Sequence, residues 1–321
     1  MAVGRMHSIF DPASAEAAAV TRLWWWMFGA GLIIWLGVAA LAIRAATRTR
    51  SAEGSPDIVR DTPALGRRLE RVLIAGVLAT AIVLAAVLVY SFAVGHALAQ
   101  HDAQRLVIEV TGHRWWWEVR YTSPDPTKLV TTANEIHVPV GVPIQLRLQS
   151  DDVIHSFWAP NLNGKSDLIP GYTSALWFRA DTPGTYRGQC AEFCGLAHAK
   201  MAFFVVAQPR AAFDAWLADI AKPAAPPTDS VAAQGQTLFM QRGCALCHAV
   251  AGTPAGGQAA PDLTHVAARG TIAAGALVNT PENIARWIFD PSVIKPGARM
   301  PAFHLSNGDM HAVVSYLETL K

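Results

Sequence analysis

Cys190-Ala191-Glu192-Phe193-Cys194-Gly195-Leu196-Ala197-His198-Ala199-Lys200-Met201 puts two thiols, an imidazole and a thioether into twelve residues. Thr185 to Gln189 before it and Ala202 to Ala207 after it are β-type runs, so the stretch reads as a loop between two strands. Thiolate, imidazole and thioether donors suit copper better than a hard cation. A mononuclear blue-copper site uses one Cys, two His and a weak axial Met. The second cysteine is surplus to that recipe and would let two thiolates bridge two copper ions. A second histidine must come from elsewhere, and His155 in Asp152-Val153-Ile154-His155-Ser156-Phe157-Trp158 is available. Two other readings use the same residues. A Cys190–Cys194 disulfide is permitted outside the cytoplasm but leaves His198 and Met201 idle. Zinc held by both cysteines and both histidines leaves Met201 idle.

Outward from this loop the texture stays β-like. Arg105 to Tyr121, Asn134 to Ser150 and Ser174 to Ala180 are rich in Val, Ile, Trp and Thr. Breakers punctuate them at Ser123-Pro124-Asp125-Pro126, Val140-Gly141-Val142-Pro143, Ile169-Pro170-Gly171 and Thr182-Pro183-Gly184. Short strands at this spacing predict an antiparallel sandwich or barrel. A short helix is expected over Arg210 to Ile220, followed by a semi-rigid Pro/Ala linker at 222–230.

Beyond the linker, 231–321 reads as helices at both ends around a loop-rich centre. Cys244-Ala245-Leu246-Cys247-His248 is a C-x-x-C-H motif, the signature of covalent c-type haem attachment, with His248 ligating iron. The second axial ligand is expected from Met or His. Met300, in Lys295-Pro296-Gly297-Ala298-Arg299-Met300-Pro301, is the best candidate; Met240 lies too near the attachment motif, and Met310 sits in the last helix. His265 and His304 read as surface or loop residues. With Pro261-Asp262-Leu263, Trp287 and Tyr316, the segment resembles a small class I cytochrome c, an all-α domain.

The N-terminal region is different. Leu23 to Ile43 runs 21 residues without a charge and Val72 to Val94 runs 23, each enough to cross a hydrocarbon core. Between and beside them stand Arg44, Arg48, Arg50, Arg60, Arg67, Arg68 and Arg71 against Glu53, Asp57, Asp61 and Glu70. This excess places the connection on the cytoplasmic side and both termini outside. Trp24, Trp25 and Trp26 mark the outer end of the first span. Ala40-Leu41-Ala42 could be read as a signal-peptide cleavage site, but the run exceeds a typical h-region and an uncleaved anchor is preferred. The domains expected are therefore a hairpin at 1–95, a β domain at 96–221, the linker at 222–230 and a haem domain at 231–321. The net charge of +2 is too balanced for nucleic-acid binding by charge.

His155-Ser156-Phe157, Asp167-Leu168-Ile169-Pro170-Gly171 and the G-Q-C-x-E-x-C-G-x-x-H-x-x-M loop resemble subunit II of haem–copper cytochrome c oxidases, and the fused haem domain resembles the branch carrying its own cytochrome c. The resemblance implies a cupredoxin-like β-barrel with a dinuclear CuA centre. Cys190 and Cys194 would bridge the coppers, and His155 and His198 would each bind one. Met201 and the Glu192 carbonyl would be weak ligands, and the Glu192 carboxylate would face magnesium at the catalytic subunit. In His113-Arg114-Trp115-Trp116-Trp117, Trp115 falls where that family takes electrons from external cytochrome c; Trp116 and Trp117 read as packing.

The same resemblance implies an electron-input subunit of a proton-pumping terminal oxidase that reduces oxygen to water, anchored in the bacterial inner membrane with its redox domains on the periplasmic side. Its partners would be catalytic subunit I, subunit III, a periplasmic donor such as cytochrome c, and lipid. The competing readings are the CuA subunit of a nitric oxide reductase and a non-enzymatic copper-delivery protein, for which a covalent haem has no use. Three positions depart from the family. Glu118-Val119-Arg120-Tyr121 keeps only the last tyrosine of the usual aromatic run. Tyr172 stands where arginine is frequent. Glu70 sits where a proton-path carboxylate is often found, but its arginine neighbours predict an interfacial salt bridge.

Overall fold

The computed structural model describes residues 7–47, 63–99, 106–122 and 129–321. The chain forms two units, one of Met1–Ala18 with His101–Lys321 and one of Ala19–Gln100.

The second unit carries most of two long helices, α1 (Ala15–Thr47) and α2 (Pro63–Ala99). Each exceeds the length a span requires, and side chains such as Ile33, Trp35, Leu73 and Phe92 stand exposed along them. Arg48, Arg50, Arg60, Glu53, Asp57 and Asp61 lie outside the described residues, as does the breaker at 123–126. Glu70 makes no ion pair among the described residues, contrary to the salt bridge expected. An exposed pair gains little over separate hydrated charges.

In the first unit, ten strands build two five-stranded sheets. They are β1 (Leu106–His113), β2 (Trp116–Tyr121), β3 (Val130–Ala133), β4 (Glu135–Pro139), β5 (Ile144–Ser150), β6 (His155–Trp158), β7 (Ser166–Leu168), β8 (Ser174–Phe178), β9 (Gly184–Cys190) and β10 (Ala202–Gln208). One sheet runs β3-β2-β1-β5-β8 and the other β4-β10-β9-β6-β7. The runs expected at 105–121 and 134–150 each break into two strands, at Arg114-Trp115 and at the Val140–Pro143 turn. Burial alternates along β5 and β9 as a half-buried pleat requires. Most ladders are antiparallel, as expected, but β1–β5 and β4–β10 run parallel. The chain changes sheets at Asn134, a left-handed residue with φ 63°, which lays β4 beside the later β10.

The core between the sheets holds Trp117, Tyr186, Phe157 and Phe203, all fully buried. Gly188 is required there, since a Cβ would lie 2.1 Å from the Phe203 ring. The segment before α1 packs on the same unit: Asn161 donates to the Asp11 carbonyl at 2.8 Å and accepts at its own carbonyl from the Ala13 amide at 2.7 Å.

Helix α3 (Arg210–Ile220) forms as expected and lays Phe213 and Trp216 on the β core. A separate core follows, built on α4 (Ser230–Gln241), α5 (Pro281–Phe289) and α7 (Asn307–Thr319), with the short α6 (Pro291–Ile294) after α5. Asp229 and Ser306 cap α4 and α7 by accepting from backbone amides. The regular elements of this region are helices apart from a short ribbon, β11 (Thr271–Ile272) with β12 (Leu277–Val278), and turns fill the centre. The segment at 222–230 is not a free tether. Ala224 donates to the Ala251 carbonyl at 2.9 Å, and a His265 ring nitrogen lies 2.9 Å from the Lys222 carbonyl. His265 sits in a loop and is buried, its other ring nitrogen 2.7 Å from the Lys321 carbonyl. His304 is exposed, its ring against Phe289.

Candidate metal centre

Strands β9 and β10 pair antiparallel, and the Cys190 amide donates to the Met201 carbonyl at 2.9 Å, closing the base of the loop between them. The Ala191 amide donates to the Ser156 carbonyl at 2.9 Å, which ties this loop to β6 and brings His155 to it. The Cys190 and Cys194 sulfurs lie 3.7 Å apart. His155 Nδ1 is 3.8 Å from the Cys190 sulfur, and His198 Nδ1 is 3.6 Å from that of Cys194. The Met201 thioether is 3.9 Å from Cys194 Sγ, and the Glu192 carbonyl oxygen is 3.2 Å from Cys190 Sγ. All six expected donors therefore converge, drawn from β6 and one loop. The donor atoms of His155, Cys190 and Cys194 lie within 4.8 Å of one another, and all three residues are buried.

Charge within the cluster is shared unevenly. A hydrogen bond from Cys194 and the contact with His155 pull the Cys190 thiol down, to about 3. The same bond, then burial, pushes Cys194 up. Two adjacent sulfurs share one proton until a cation takes its place. Burial lowers His155, but its contacts with Cys190 and Asp152 outweigh this and the net shift is upward.

Asp152 had no role in the sequence reading, and it orients the site. Its carboxylate accepts from the Arg114 amide at 2.8 Å and the Val153 amide at 2.7 Å, and it lies 2.9 Å from His155 Nε2. With Nε2–H donating to Asp152, Nδ1 is left to face the sulfur, an arrangement that fixes a metal-binding tautomer. Its signal was an acid three residues before the histidine. Gly112 makes room for the ring, since a Cβ would stand 2.9 Å from His155 Cδ2. The donor set fits a soft or borderline metal: two thiols, two imidazoles with inward nitrogens and a buried thioether. The Glu192 carboxylate, expected at magnesium, lies 3.5 Å from Lys165 Nζ.

Trp115 is buried, and its indole N–H donates to the Cys194 carbonyl at 2.9 Å. The resemblance implied electron entry at Trp115, and Gly297 of the region after the linker lies against its ring. Trp116 stacks on His113 at 4.3 Å and Trp117 sits in the core, both as packing residues.

At the second motif, Cys244 is half-buried and Cys247 exposed, both as free thiols. His248 Nδ1–H donates to the Pro261 carbonyl at 2.7 Å, which leaves Nε2 with its lone pair. Burial holds this imidazole below its ordinary value, favouring the neutral ligand form. Accessible thiols and an oriented imidazole fit covalent haem. Met300 lies between α6 and α7, half-buried against the second core.

A family model described as the periplasmic domain of cytochrome c oxidase subunit II matches residues 123–208, and one described as cytochrome c matches 232–321. Cytochrome c oxidase subunit 2 of Alkalihalophilus pseudofirmus is 41% identical over 67% of this chain and 61% of its own length. The β domain is thus similar to cytochrome c oxidase subunit II and the region after the linker to cytochrome c. The corresponding protein of Bacillus sp. strain PS3 is 34% identical over 69% of this chain and 64% of its own. The chain thus spans less than two thirds of the length of these relatives. The solved periplasmic domain of cytochrome oxidase subunit II from Bradyrhizobium japonicum is 30% identical over 38% of this chain and 96% of that one, with a TM-score of 0.35. The likeness to subunit II implies copper and the likeness to cytochrome c implies haem. With the two apolar helices, a periplasmic-domain family reads as a membrane-anchored subunit.

Proposed function

We propose that this chain is the electron-input subunit of a haem–copper terminal oxidase, passing electrons from a covalent haem c through dinuclear copper to a catalytic partner that reduces oxygen to water and pumps protons. The observation that carries this reading is the convergence of Cys190, Cys194, His155, His198, Met201 and the Glu192 carbonyl on one buried point beside Trp115. Cys190, Cys194, His155, His198, Met201 and the Glu192 carbonyl would together hold two coppers. Cys244 and Cys247 would hold the haem covalently, and His248 and Met300 would ligate its iron. When bound, these groups supply one-electron redox chemistry at a site whose ligands need little rearrangement.

The chain's own work is placement. The sheets hold His155 over the loop, Asp152 fixes its tautomer, and Trp117, Phe157 and Phe203 keep water from the thiol pair. Trp115 joins the Cys194 carbonyl to the cytochrome domain. The Glu192 carboxylate would contribute to a magnesium site at the boundary with catalytic subunit I; subunit III and a periplasmic donor such as cytochrome c complete the assembly. The domain limits 1–95, 96–221 and 231–321 and a bacterial inner-membrane location, with redox domains outside, belong to the same proposal.

Metal analysis with optical and EPR spectra of the detergent-solubilised chain tests it. Two coppers per covalent haem with a mixed-valence copper signal are expected. One copper, or zinc, overturns it. Nitric oxide turnover without oxygen turnover by the assembled complex would reassign the catalytic partner.

A further inference from the structure

Lys295 is buried, 3% exposed, and among the described residues it has no ion pair with a carboxylate. Its ammonium donates to two carbonyls, that of Trp115 at 2.6 Å and that of Ala273 at 3.0 Å. The first belongs to the copper domain and the second to the cytochrome domain. Burying an ammonium is costly unless its N–H groups are met, and a methionine would fill the same space without that cost. The two donated bonds give Lys295 a direction that apolar packing would not supply.

The contacts around it form a continuous seam. Gly297, with φ +86°, lies so close to Trp115 that a Cβ would stand 2.9 Å from Cη2 of the ring. The Ala202 amide, next to Met201, donates to the Ala274 carbonyl at 3.0 Å. The Gly270 amide donates to the Glu135 carboxylate at 2.7 Å. Lys200 Nζ donates to the Ile294 carbonyl. Each bond joins the cytochrome domain to a residue close to the copper loop or on β4.

We propose that Lys295 is a positioning residue that pins the Met300-bearing loop of the cytochrome domain to the Trp115 backbone and seals the indole beside the thiol pair against external donors. This rests on the function proposed above. The docked arrangement is thus built into the chain by a directed bond, and an outside donor meets the cytochrome domain instead of Trp115.

Hydrogen exchange of the Ala202 and Gly270 amides in the full-length, detergent-solubilised protein tests the pin without reference to turnover. In Lys295→Met, protection of both amides should fall by roughly tenfold or more, the scale expected when charge-assisted bonds are lost. Haem-to-copper transfer within the chain should slow by about the same factor. Because Lys295 also serves its own domain, Glu135→Ala provides a second variant that loosens the seam from the copper side and leaves the cytochrome sequence intact. It should lower Ala202 protection in the same direction. Unchanged exchange and transfer in both variants, with copper and haem present, would overturn the pin. Absence of copper from the wild-type chain would instead overturn the underlying function.

Discussion

Asp152 and Lys295 show how single polar groups set this site, through the adjacent backbone groups of Arg114 and Trp115. Asp152 accepts two backbone amides and holds His155 Nε2, so its charge is already ordered before any metal arrives. Asp152→Asn should weaken copper binding by roughly 10–100-fold, the usual cost of losing an outer carboxylate, measured by competition with a chelator. Covalent haem content should not change. Lys295 makes a pH prediction. Burial pushes it down to about 7 from an ordinary value of 10.5. Between those values the unfolded chain binds more protons than the folded one, so stability should rise with pH across that window and level off below it. The neutral amine still donates to both carbonyls, so the bonds survive deprotonation. Denaturation of wild type and Lys295→Met at pH 7 and 9 should show a rise only in the wild type.

At the scale of elements, the loop between β9 and β10 was legible because its donors are consecutive in sequence. The strands beside it were legible as runs and their turns at 140–143 and 182–184 as breakers, but the break at Arg114-Trp115 was not. His155–Trp158 and Ser166–Leu168 are too short for a periodic signal, and their pairing with β9 and with each other makes them strands. Helices α4 and α7 cross at Gly235, where a Cβ would meet the Ala312 carbonyl oxygen at 1.9 Å. Gly235→Ala should therefore destabilise the cytochrome domain by about 1–3 kcal/mol or more, since the backbones must separate. Thermal unfolding followed at the haem absorbance checks this, and the copper signal should melt as before.

For the whole molecule, the arrangement of the redox domains changes the expected part played by the linker. The Pro/Ala stretch at 222–230 reads as a spacer that raises effective concentration. In the structure it lies against the cytochrome domain, and the two domains also meet directly across the Lys295 seam. Cleavage near Pro226 should therefore leave electron input intact at high protein concentration. On dilution input should fall, because the seam alone must then hold the domains. Turnover of cleaved protein across a dilution series checks this, and turnover that stays constant at every dilution would show that covalent tethering adds nothing. The charges agree with contact over steering. Residues 96–222 carry 11 basic and 12 acidic groups and 231–321 carry 6 and 5, too balanced for long-range attraction.

Local features could be read from the residues alone: the donor types and spacing in Cys190–Met201, the haem-attachment motif, the two charge-free runs and the change of texture between them. These depend on the period of an element or the reach of one loop. That His155 meets Cys190, that Asp152 fixes its tautomer, that Trp115 is covered and that Lys295 is buried at a seam emerges only from folding in three dimensions. Each of those depends on which distant surfaces come together. Sheet pairing brings β6 to β9, and domain docking removes Lys295 from water. A contact between residues 115 and 295 leaves no trace in the local pattern of either segment.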